Sequence, residues 1–577
     1  MRRWIEERGL EVRNPFIATL PPYRQRGNGT TIDLVITGDN RPCKIVTMDI
    51  ASADHRALRI KTSLTWRKST EDRLRYDKAD WGQIKAALTL LNPVDTHPAQ
   101  VQESLTRILL QHTPRVRSGA KAFWNRDLER CRLALKSLQK QANRDLRILN
   151  MKRAYRKKIA KAKIEANSKA LQEETDPKCF RSVRPMSNKR SIPSLVRKDC
   201  SIASEHPYIA SELQEALYRG QRQRDNTVIK STPDMELTLE ELDAALKASP
   251  KGASPGPDRI PTRMVREFRK SNEKLFLATM NRALLEGIPA SWKTSDTILI
   301  PKARKESYTI AKSSRPIQLQ SILTKVLERV IVTRLAKLDL LTPNMFGERK
   351  KSGTTDTIQA LNDFIQNHHG HNICLSALDI EGGFDHLNLD MVCDRIKTKN
   401  PHLADWIRHW GHNRQTSYRF NRRTSQAFHT SMGTPQGSPL SPILFLISTR
   451  DILDTNHDNQ GGTKGSILAY VDDMLVATAY NDRNDGPAAL QKTINEMTLR
   501  AKSWGYSFST TKGEYIHVHP KKQMTLSPMM GDSLLHPQEY LRWLGFFISS
   551  DWKWKQHVQK WCTKATHSGH GIRAMTE

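Results

Sequence analysis

The sequence predicts an α+β fold, because from about residue 237 onward short apolar, strand-like runs alternate with stretches of helical periodicity. Two of these strand-like runs carry aspartates where a buried strand would be apolar. The first run ends at Asp379, and the second surrounds Asp472 and Asp473. Between them lies a segment rich in Gly and Pro, residues 433–442, which leads into an apolar helix-like run. These observations predict both the fold class and a candidate site.

The acidic pair lies in the apolar stretch 466–477, whose two halves predict the strands of a hairpin with Asp472 and Asp473 at its turn. Two like charges in a half-buried place cost free energy unless a cation compensates them. A divalent ion such as Mg²⁺ suits this task because it prefers oxygen ligands. On these residues alone, a solvated Asp-Asp turn is an equally good interpretation.

The second acidic position strengthens the metal interpretation. Residues 372–379 alternate as a strand and end on Asp379, and a helix-like stretch follows. If both acidic strand ends meet on one sheet, their carboxylates could hold two divalent ions ~3.5–4 Å apart, the arrangement used in nucleotidyl transfer. The Gly/Pro loop would bring backbone close to a ligand. We expect Ser441 to cap the following helix, with Pro442 at its first position.

These three segments, in this order, resemble the catalytic motifs of reverse transcriptases of non-LTR (LINE-type) retrotransposons. Six further segments resemble other sequence motifs of these polymerases and occur in the same order along the chain. These segments are Ser254–Pro261, Ile300–Lys302, Ser314–Leu319, Thr324–Ile331, Phe346–Thr355 and Tyr540–Gly545. The resemblance implies a right-hand polymerase with fingers, palm and a partial thumb. It also implies an RNA-directed DNA polymerase that uses an RNA template, a DNA primer at nicked target DNA, and dNTPs.

The resemblance assigns the metal ligands. Asp379 and Asp472 would bridge two Mg²⁺ ions, with Mn²⁺ as the alternative ion, and Asp473 would lie beside them and adjust the local charge. A hairpin-turn role without direct ligation is the other interpretation of Asp473. The carbonyl of Ile380 would complete a coordination sphere.

The resemblance also implies the residues that bind the nucleotide. Phe384 would lie under the sugar and oppose a ribose 2′-hydroxyl, which selects dNTPs; packing in the core is the alternative. Gln436 and Gly437 would approach the dNTP. Lys302 and Arg315 are the candidates for the triphosphate, and the planar fork of Arg315 suits phosphate better.

Composition agrees with a nucleic-acid partner, since 92 Lys and Arg against 60 acidic residues give a net charge of +32. Residues 126–170 predict one long helix with a narrow apolar stripe. The most basic part of this helix is expected to contact template RNA through phosphates; the alternative is a solvated face without a binding role. This basic part comprises Lys152, Arg153, Arg156, Lys157, Lys158, Lys161 and Lys163. No apolar run of ~18 residues occurs, so no membrane partner is expected.

The first 66 residues resemble the last strands of the apurinic-type endonuclease that precedes the polymerase in these elements. The resemblance rests on the strand-like residues 30–36 and on the pair Asp54-His55, although Ala53 stands where the family has Ser. About 66 residues are too few for a nuclease core, so Asp54 and His55 are interpreted as an inert relic. A start site assigned too far downstream is the alternative.

These segments predict a domain order. Residues 1–66 are the endonuclease fragment, 67–229 a basic and largely helical RNA-binding linker, 230–281 the approach to the fingers, 282–550 fingers and palm, and 551–577 the start of a truncated thumb. Seven cysteines without a CxxC pair suit a reducing compartment. The resemblance implies an intracellular protein, with a nuclear stage and a cytoplasmic ribonucleoprotein stage, and no transit peptide is evident.

Three functional hypotheses remain open at this point. The first is an active LINE-type reverse transcriptase. The second is a catalytically inactive relic that only binds nucleic acid, and the third is a polymerase similar to group II intron maturases. The Asp-His fragment upstream favours the LINE-type hypothesis over the maturase, because maturases do not carry that nuclease.

Overall fold

The computed structural model describes residues 73–92, 97–116, 126–141, 151–162, 235–302, 307–347, 352–454, 464–481, 485–510, 513–518 and 527–576, with single gaps at 422, 431 and 532. Shorter described stretches are 11–12, 36–37, 43–48, 57–62, 195–196, 201–203 and 205–218, with residues 165, 192 and 229. Asp54, His55 and Lys163 lie outside the described residues, so the predictions for them stay predictions.

The described strands are β1 (Glu11–Val12), β2 (Ile36–Thr37), β3 (Cys43–Met48), β4 (Ala57–Thr62), β5 (Arg73–Leu74), β6 (Arg115–Val116), β7 (Leu195–Val196), β8 (Ile202–Ala203), β9 (Thr294–Pro301), β10 (Ser314–Leu319), β11 (Met345–Phe346), β12 (Asn372–Asp379), β13 (Arg414–Phe420), β14 (Arg423–Thr424), β15 (Phe428–Thr430), β16 (Lys464–Tyr470), β17 (Asp473–Tyr480), β18 (Glu514–Val518), β19 (Met529–Met530), β20 (Ser533–Leu534), β21 (Tyr540–Trp543) and β22 (Phe546–Ser549).

The described helices are α1 (Trp81–Thr89), α2 (Pro98–Gln111), α3 (Arg126–Gln141), α4 (151–162), α5 (His206–Leu217), α6 (Leu239–Ala248), α7 (Thr262–Ser271), α8 (Glu273–Leu285), α9 (Ile322–Leu335), α10 (Thr354–Asn367), α11 (Gly383–His386), α12 (Leu389–Lys397), α13 (Pro401–Gly411), α14 (Ser441–Leu453), α15 (Asp485–Ser503) and α16 (Lys555–Thr576). Helices and sheets are mixed along the chain, which agrees with the predicted α+β class.

The chain divides into two compact units. One comprises residues 1–73, 117–190 and 565–577, and the other comprises 74–116 and 191–564. The larger unit therefore groups residues 74–116 with residues 191–564, although residues 117–190 lie between them in sequence. The predicted domain boundaries at 66, 229, 281 and 550 remain predictions.

In the smaller unit, α3 and α4 pack against each other, which corrects the prediction of one continuous helix. Leu128 and Leu135 of α3 share a buried cluster with Tyr155 of α4, and the Lys158 ammonium contacts Cys131 Sγ at 3.6 Å. In a straight helix, residues 131 and 158 would lie about 40 Å apart, because each residue rises about 1.5 Å. The narrow apolar stripe is buried only when the two helices face each other.

The central sheet of the larger unit has the strand order β11-β16-β17-β12-β18. Strand β12 is antiparallel to both of its neighbours and is buried on both faces. Cys374 and Leu378 enter the main core with α14 and α15, whereas Ile373 and Leu375 enter a second core with α10. Because side chains alternate along a strand, Asp379 lies on the same face as Leu375.

A second sheet has the order β10-β9-β13-β14, and β15 also pairs with β13. Strands β9 and β10 are antiparallel, with Arg315 opposite Ile300, and β13 runs parallel to β9. This sheet carries two of the predicted phosphate-binding residues at one end of its β9–β10 hairpin.

Helices α1 and α2 belong to the main core of the larger unit. Ile84 and Leu105 lie in the same buried cluster as Phe268 of α7. The half-buried Asp258 joins α2 to the start of α9, because its carboxylate accepts hydrogen bonds from Gln102 Nε2 at 2.9 Å and Ser321 Oγ at 2.7 Å. Among the described residues, none of the helices combines the length and apolar character that crossing a membrane requires.

Candidate active site

Two of the three predicted catalytic aspartates lie directly opposite each other. Asp379, at the end of β12, is paired in register with Asp473, at the start of β17. Opposite residues of an antiparallel pair have Cα atoms about 4.5–5.5 Å apart and side chains on the same face. Both aspartates are half-buried. The structure therefore brings these two carboxylates to one place on the central sheet.

Asp472 lies in the two-residue turn that joins β16 to β17, between the register partners Tyr470 and Asp473. Its neighbour Val471 has a φ of +57°, a left-handed conformation that is unfavourable for a β-branched residue. Positive φ at the first central position of a two-residue hairpin is usually supplied by Gly, Asn or Asp. The strained backbone of Val471 therefore sets the direction of the backbone at Asp472.

Neighbouring backbone holds this turn in place. Val471 N donates to Phe346 O at 3.4 Å, and Ala469 N donates to Asn344 O at 3.1 Å. A Cβ atom on Gly347 would lie 2.9 Å from Val471 Cγ2, so only Gly fits under the turn. Part of the segment 346–355, which sequence resemblance singled out, thus supports the turn that carries Asp472.

The loop between Gly433 and Ser441 packs onto the chain that follows Asp379. Thr434 N donates to Phe384 O at 2.8 Å. Gly433 has a φ of +65°, and a Cβ there would lie 2.5–2.6 Å from the carbonyl oxygens of Phe384 and Asp385. Helix α14 begins at Ser441 with Leu440 as N-cap, so Ser441 is not the predicted cap; its hydroxyl donates to Pro435 O at 2.9 Å.

Gln436 and Gly437 form the outer bend of this loop. Gln318 N donates to Gln436 O at 2.7 Å, and Gln436 Nε2 donates to Asp385 Oδ1 at 3.2 Å. Gly437 is exposed and has a φ of +114°, and a Cβ there would lie 3.0 Å from Gln318 O. Asp385, which sequence analysis did not assign, therefore orients the predicted nucleotide-binding amide. Burial raises the pKa of Asp385, and its bond from Gln436 opposes that effect.

Phe384 is half-buried in the short helix α11, and its ring lies 5.3 Å from the ring of Phe445. This contact places one face of Phe384 against the main core. The position is compatible with both predicted roles, a packing residue and a surface under a sugar. Ile380, predicted to offer its carbonyl, has its side chain buried in the same core.

Lys302 and Arg315 lie at the same end of the β9–β10 hairpin. Arg315 is exposed, and Lys302 N donates to Ser313 O at 2.8 Å. The Lys302 ammonium is close enough to Asp385 to lower the pKa of that carboxyl, against the larger opposite effect of burial. The second sheet thus brings Lys302 near the loop that holds Gln436.

The acidic residues fit a Mg²⁺ site that the substrate completes. Among the described residues, no set of three or more acidic, His or Cys side chains is arranged to hold a metal ion by itself. Mg²⁺, however, usually keeps several waters and is bound by one or two carboxylates together with substrate phosphates. The opposed carboxylates of Asp379 and Asp473, with Asp472 in the adjacent turn, provide oxygen ligands of this kind.

Sequence reasoning missed two buried charged residues beneath the loop, Glu328 and Arg414. Glu328 lies within the segment 324–331, which was recognised only as part of a resemblance. A carboxylate in the middle of an apolar helical run was the available signal, because such a group is buried only with partners.

Comparison with known proteins agrees with this geometry. Residues 300–548 match the family described as reverse transcriptase (RNA-dependent DNA polymerase). The chain is 26% identical over 317 residues to the probable RNA-directed DNA polymerase from transposon BS of Drosophila melanogaster, covering 53% of this chain and 33% of that relative. It is also 26% identical over 340 residues to the RNA-directed DNA polymerase from mobile element jockey of Drosophila funebris, covering 56% and 36%.

A third relative is the probable RNA-directed DNA polymerase from transposon X-element of Drosophila melanogaster, 24% identical over 285 residues, which are 48% of this chain and 31% of that relative. The chain spans about a third of the length of these curated relatives. The resemblance to retrotransposon reverse transcriptases is confirmed for the C-terminal part of the chain. The family match begins at residue 300, and the endonuclease fragment remains a prediction.

Proposed function

We propose that this chain is an RNA-directed DNA polymerase of a LINE-type retrotransposon, which transfers nucleotides from dNTPs to a primer 3′-hydroxyl on an RNA template. The observation that carries the proposal is the opposition of Asp379 and Asp473 on neighbouring strands. Asp472 lies in the turn beside them, and the loop from Gly433 to Ser441 packs against the segment that follows Asp379. This arrangement supports metal-assisted transfer of a nucleotidyl group.

The proposed ligands of Mg²⁺, or of Mn²⁺ in its place, are Asp379, Asp472, Asp473 and the carbonyl of Ile380. When bound, such ions lower the pKa of the primer hydroxyl and neutralise charge on the triphosphate and its leaving group. The carboxylates supply the fixed negative charge that holds these cations. The central sheet keeps that charge in place because β12 is paired on both of its sides.

The remaining residues of the site would bind and orient the nucleotide. Gln436, held by Asp385, would contact the sugar or the base pair, and Gly437 would permit close approach of the backbone. Phe384 would oppose a 2′-hydroxyl. Lys302 and Arg315 would receive the triphosphate, since both lie at the same end of one hairpin.

The proposal extends to the architecture. The central sheet would be the palm, the second sheet would belong to the fingers, and β21, β22 and the start of α16 would begin the thumb. The helices α3 and α4 would contact template RNA. The site of action would be the nucleus, after assembly with RNA in the cytoplasm.

The two alternatives, a maturase-like polymerase and an inactive relic, lead to different expectations. A maturase-like polymerase is less well supported, because the relatives reported above are named as polymerases of transposons and a mobile element. An inactive relic would bind nucleic acid but would incorporate no nucleotide in Mg²⁺ or Mn²⁺.

The test is DNA synthesis on poly(rA)/oligo(dT) by the full chain and by Asp472→Asn. We expect the variant to lose roughly 10²–10³-fold or more in rate, as when a strong electrostatic contact to a transition state is removed. Its affinity for RNA should change little, because one charge is lost from a strongly basic protein.

Asp363→Asn is the matched control. It removes one exposed carboxylate from α10, where Asp363 accepts a hydrogen bond from Gln359 of the same helix, and it should leave synthesis unchanged. Near-normal synthesis by Asp472→Asn would refute the metal assignment. Folded wild-type protein without incorporation would support the relic.

A further inference from the structure

Glu328 of α9 is a completely buried carboxylate that contacts the loop of the candidate site from below. Its Oε2 accepts a hydrogen bond from Ser438 Oγ at 2.6 Å. Its Oε1 accepts from Trp410 Nε1 at 2.8 Å and from Gln320 Nε2 at 3.3 Å. Burial raises the pKa of the Glu328 carboxyl, and the bonds from Ser438 and Trp410 counteract that rise. Three donors from separate parts of the chain therefore converge on one buried group.

Arg414, at the start of β13, is the corresponding buried cation at the other end of the loop. Its Nη2 donates to Gly433 O at 2.7 Å and to Met432 O at 3.4 Å, and its Nε donates to Gly411 O at 2.9 Å. Burial lowers the pKa of Arg414 to about 10, so the guanidinium remains charged at neutral pH. Both charged groups are thus fixed to the backbone or side chains of the same loop.

Trp410 connects the two charges. Its indole N–H donates to Glu328, and its ring lies under the guanidinium of Arg414, 5.6 Å from ring centroid to Cζ. Glu328 and Arg414 also interact electrostatically, since the carboxylate favours the charged form of the guanidinium against the larger effect of burial. Gly433 at the start of the loop and Ser438 in its second half are therefore held by one connected buried group.

The middle of the loop is held differently. Gln436 and Gly437 rest on the backbone of Gln318, while the outer side of Gly437 is exposed. The distance of this bend from a bound nucleotide thus depends on how the two ends are anchored. An isosteric apolar core is often as stable as a buried ion pair or more so, which makes bulk stability a weak reason for charges here.

We propose that Glu328 and Arg414 are positioning residues, which form a buried brace that holds Gln436 and Gly437 at the distance from the nucleotide that dNTP binding requires. This inference rests on the proposed polymerase function. Neither residue touches the nucleotide, because both are buried beneath the loop. Ser438 transmits the position of Glu328 to the loop, and its hydroxyl also accepts from Leu440 N at 3.0 Å, just before α14.

The test compares two buried serines. Ser438→Ala removes the hydroxyl that joins the loop to Glu328. Ser448→Ala removes an equally buried hydroxyl within α14, which contacts Phe445 O and Tyr506 Oη but not the loop. A third variant, Glu328→Gln, keeps the side-chain volume and removes the charge that compensates Arg414.

Steady-state synthesis on poly(rA)/oligo(dT) gives the first readout. We expect Ser438→Ala to raise KM for dTTP about tenfold, the cost of losing one hydrogen bond to a charged group, with unchanged affinity for the template–primer. Ser448→Ala should lower the unfolding temperature without raising KM. Glu328→Gln should raise KM at least as much as Ser438→Ala; if it does not fold, Ser438→Ala decides.

Hydrogen exchange of the loop amides gives the second readout, which does not require activity. The amides of residues 433–441 should exchange faster in Ser438→Ala than in the wild type or in Ser448→Ala, and dTTP with Mg²⁺ should protect them only when the brace is intact. Equal KM values and equal exchange in both serine variants would overturn the inference. If the wild type synthesises no DNA, the polymerase proposal fails. If dTTP with Mg²⁺ also fails to slow amide exchange of residues 433–441 in the wild type, the brace inference fails as well.

Discussion

Asp379 lies directly opposite Asp473 on neighbouring antiparallel strands, whereas Asp472 lies in the turn that follows β16. The register fixes this relation, because a shift of one residue would move either aspartate to the other face of the sheet. From sequence resemblance, Asp473 is expected to belong to the metal site and to adjust its charge more than bridge the ions, with direct ligation and a hairpin-turn role equally open. Its position opposite Asp379 makes it an equally good candidate for a direct ligand.

Asp473→Asn is therefore expected to raise the Mg²⁺ concentration needed for half-maximal DNA synthesis about tenfold or more, because one of two opposed carboxylates loses its charge. The measurement is a Mg²⁺ titration of synthesis at saturating dTTP. The control is Asp363→Asn, an exposed aspartate of α10, which should leave the titration midpoint unchanged. A lower maximal rate with an unchanged midpoint would assign Asp473 to the geometry of the turn.

The secondary structure around these aspartates was largely predictable from sequence. The alternation over residues 372–379 coincides with β12, and the apolar stretch 466–477 contains most of β16 and β17 with the turn at Asp472. Local alternation and an acidic interruption are enough to locate a hairpin. Which aspartate faces Asp379 depends on strand register, and that is set by packing of the whole sheet.

Long-range contacts were not predictable in this way. Glu328 and Ser438 are 110 residues apart, and no local pattern pairs them. The same limit explains the error over residues 126–170, where periodicity indicated a helix but not where the chain reverses. The contact of Cys131 with Lys158 is a tertiary interaction between two amphipathic helices.

Phe384→Ala is expected to lower the dNTP/rNTP ratio of kcat/KM by about tenfold or more, because it removes the surface that would oppose a 2′-hydroxyl. The ring of Phe384 also packs on Phe445, so a matched variant is needed. Phe445→Leu reduces the same aromatic contact from the core side without removing Phe384. It should lower stability and leave the ratio unchanged. An unchanged ratio in Phe384→Ala would assign that residue to the core.

Gly433→Ala is expected to destabilise the protein by about 2–3 kcal/mol or more, because its Cβ would approach the backbone of Phe384 and Asp385 to within 2.5–2.8 Å. Gly505→Ala is the matched control. Gly505 also has a positive φ, +80°, but a Cβ there would meet nothing within 4 Å, so only the conformational cost of about 1–2 kcal/mol should remain. Chemical denaturation measures both, and equal losses would refute the close packing of Gly433.

Stability should fall between pH 6.5 and about pH 4 because of His517. Burial lowers the pKa of His517 from 6.5 to about 4, so in this range the unfolded chain binds more protons than the folded protein. The contribution is complete above pH 6.5 and is lost as the pH falls. The upper limit of this contribution to the free energy of unfolding is about 3 kcal/mol, since lowering a pKa by one unit corresponds to about 1.4 kcal/mol. Because His517 is partly exposed, its contribution should be smaller than this limit.

The measurement is the free energy of unfolding at pH 7 and pH 4.5 for the wild type and His517→Gln. His517 lies between Tyr480 Oη, 3.1 Å from Nδ1, and the hydroxyl of Tyr515. The variant removes the titrating group, so its loss of stability between the two pH values should be smaller than that of the wild type. Equal losses would show that His517 is protonated as easily in the folded protein as in the unfolded chain.

The basic face of α4 is expected to bind RNA through phosphates. Arg153, Lys157 and Lys161 are exposed and spaced four residues apart, so they lie along one side of the helix. Neutralising all three to Gln should weaken binding to two unrelated RNAs alike and reduce the log–log salt slope by roughly 0.7–0.9 for each lost phosphate contact.

Arg130 and Arg132 of α3 provide the control, because both are ion-paired, with Asp127 at 3.8 Å and Glu129 at 2.6 Å. Of the three residues changed in the triple variant, only Lys161 has an ion-pair partner among the described residues, Glu165 at 4.0 Å. Their neutralisation should change the slope less for each charge removed. Affinity for both RNAs measured at three salt concentrations distinguishes the outcomes. Base recognition would weaken one RNA selectively with an unchanged slope. An unchanged affinity and slope in the triple variant would remove this face of α4 from the RNA-binding surface, since counterion release must accompany any phosphate contact that a lysine or arginine makes.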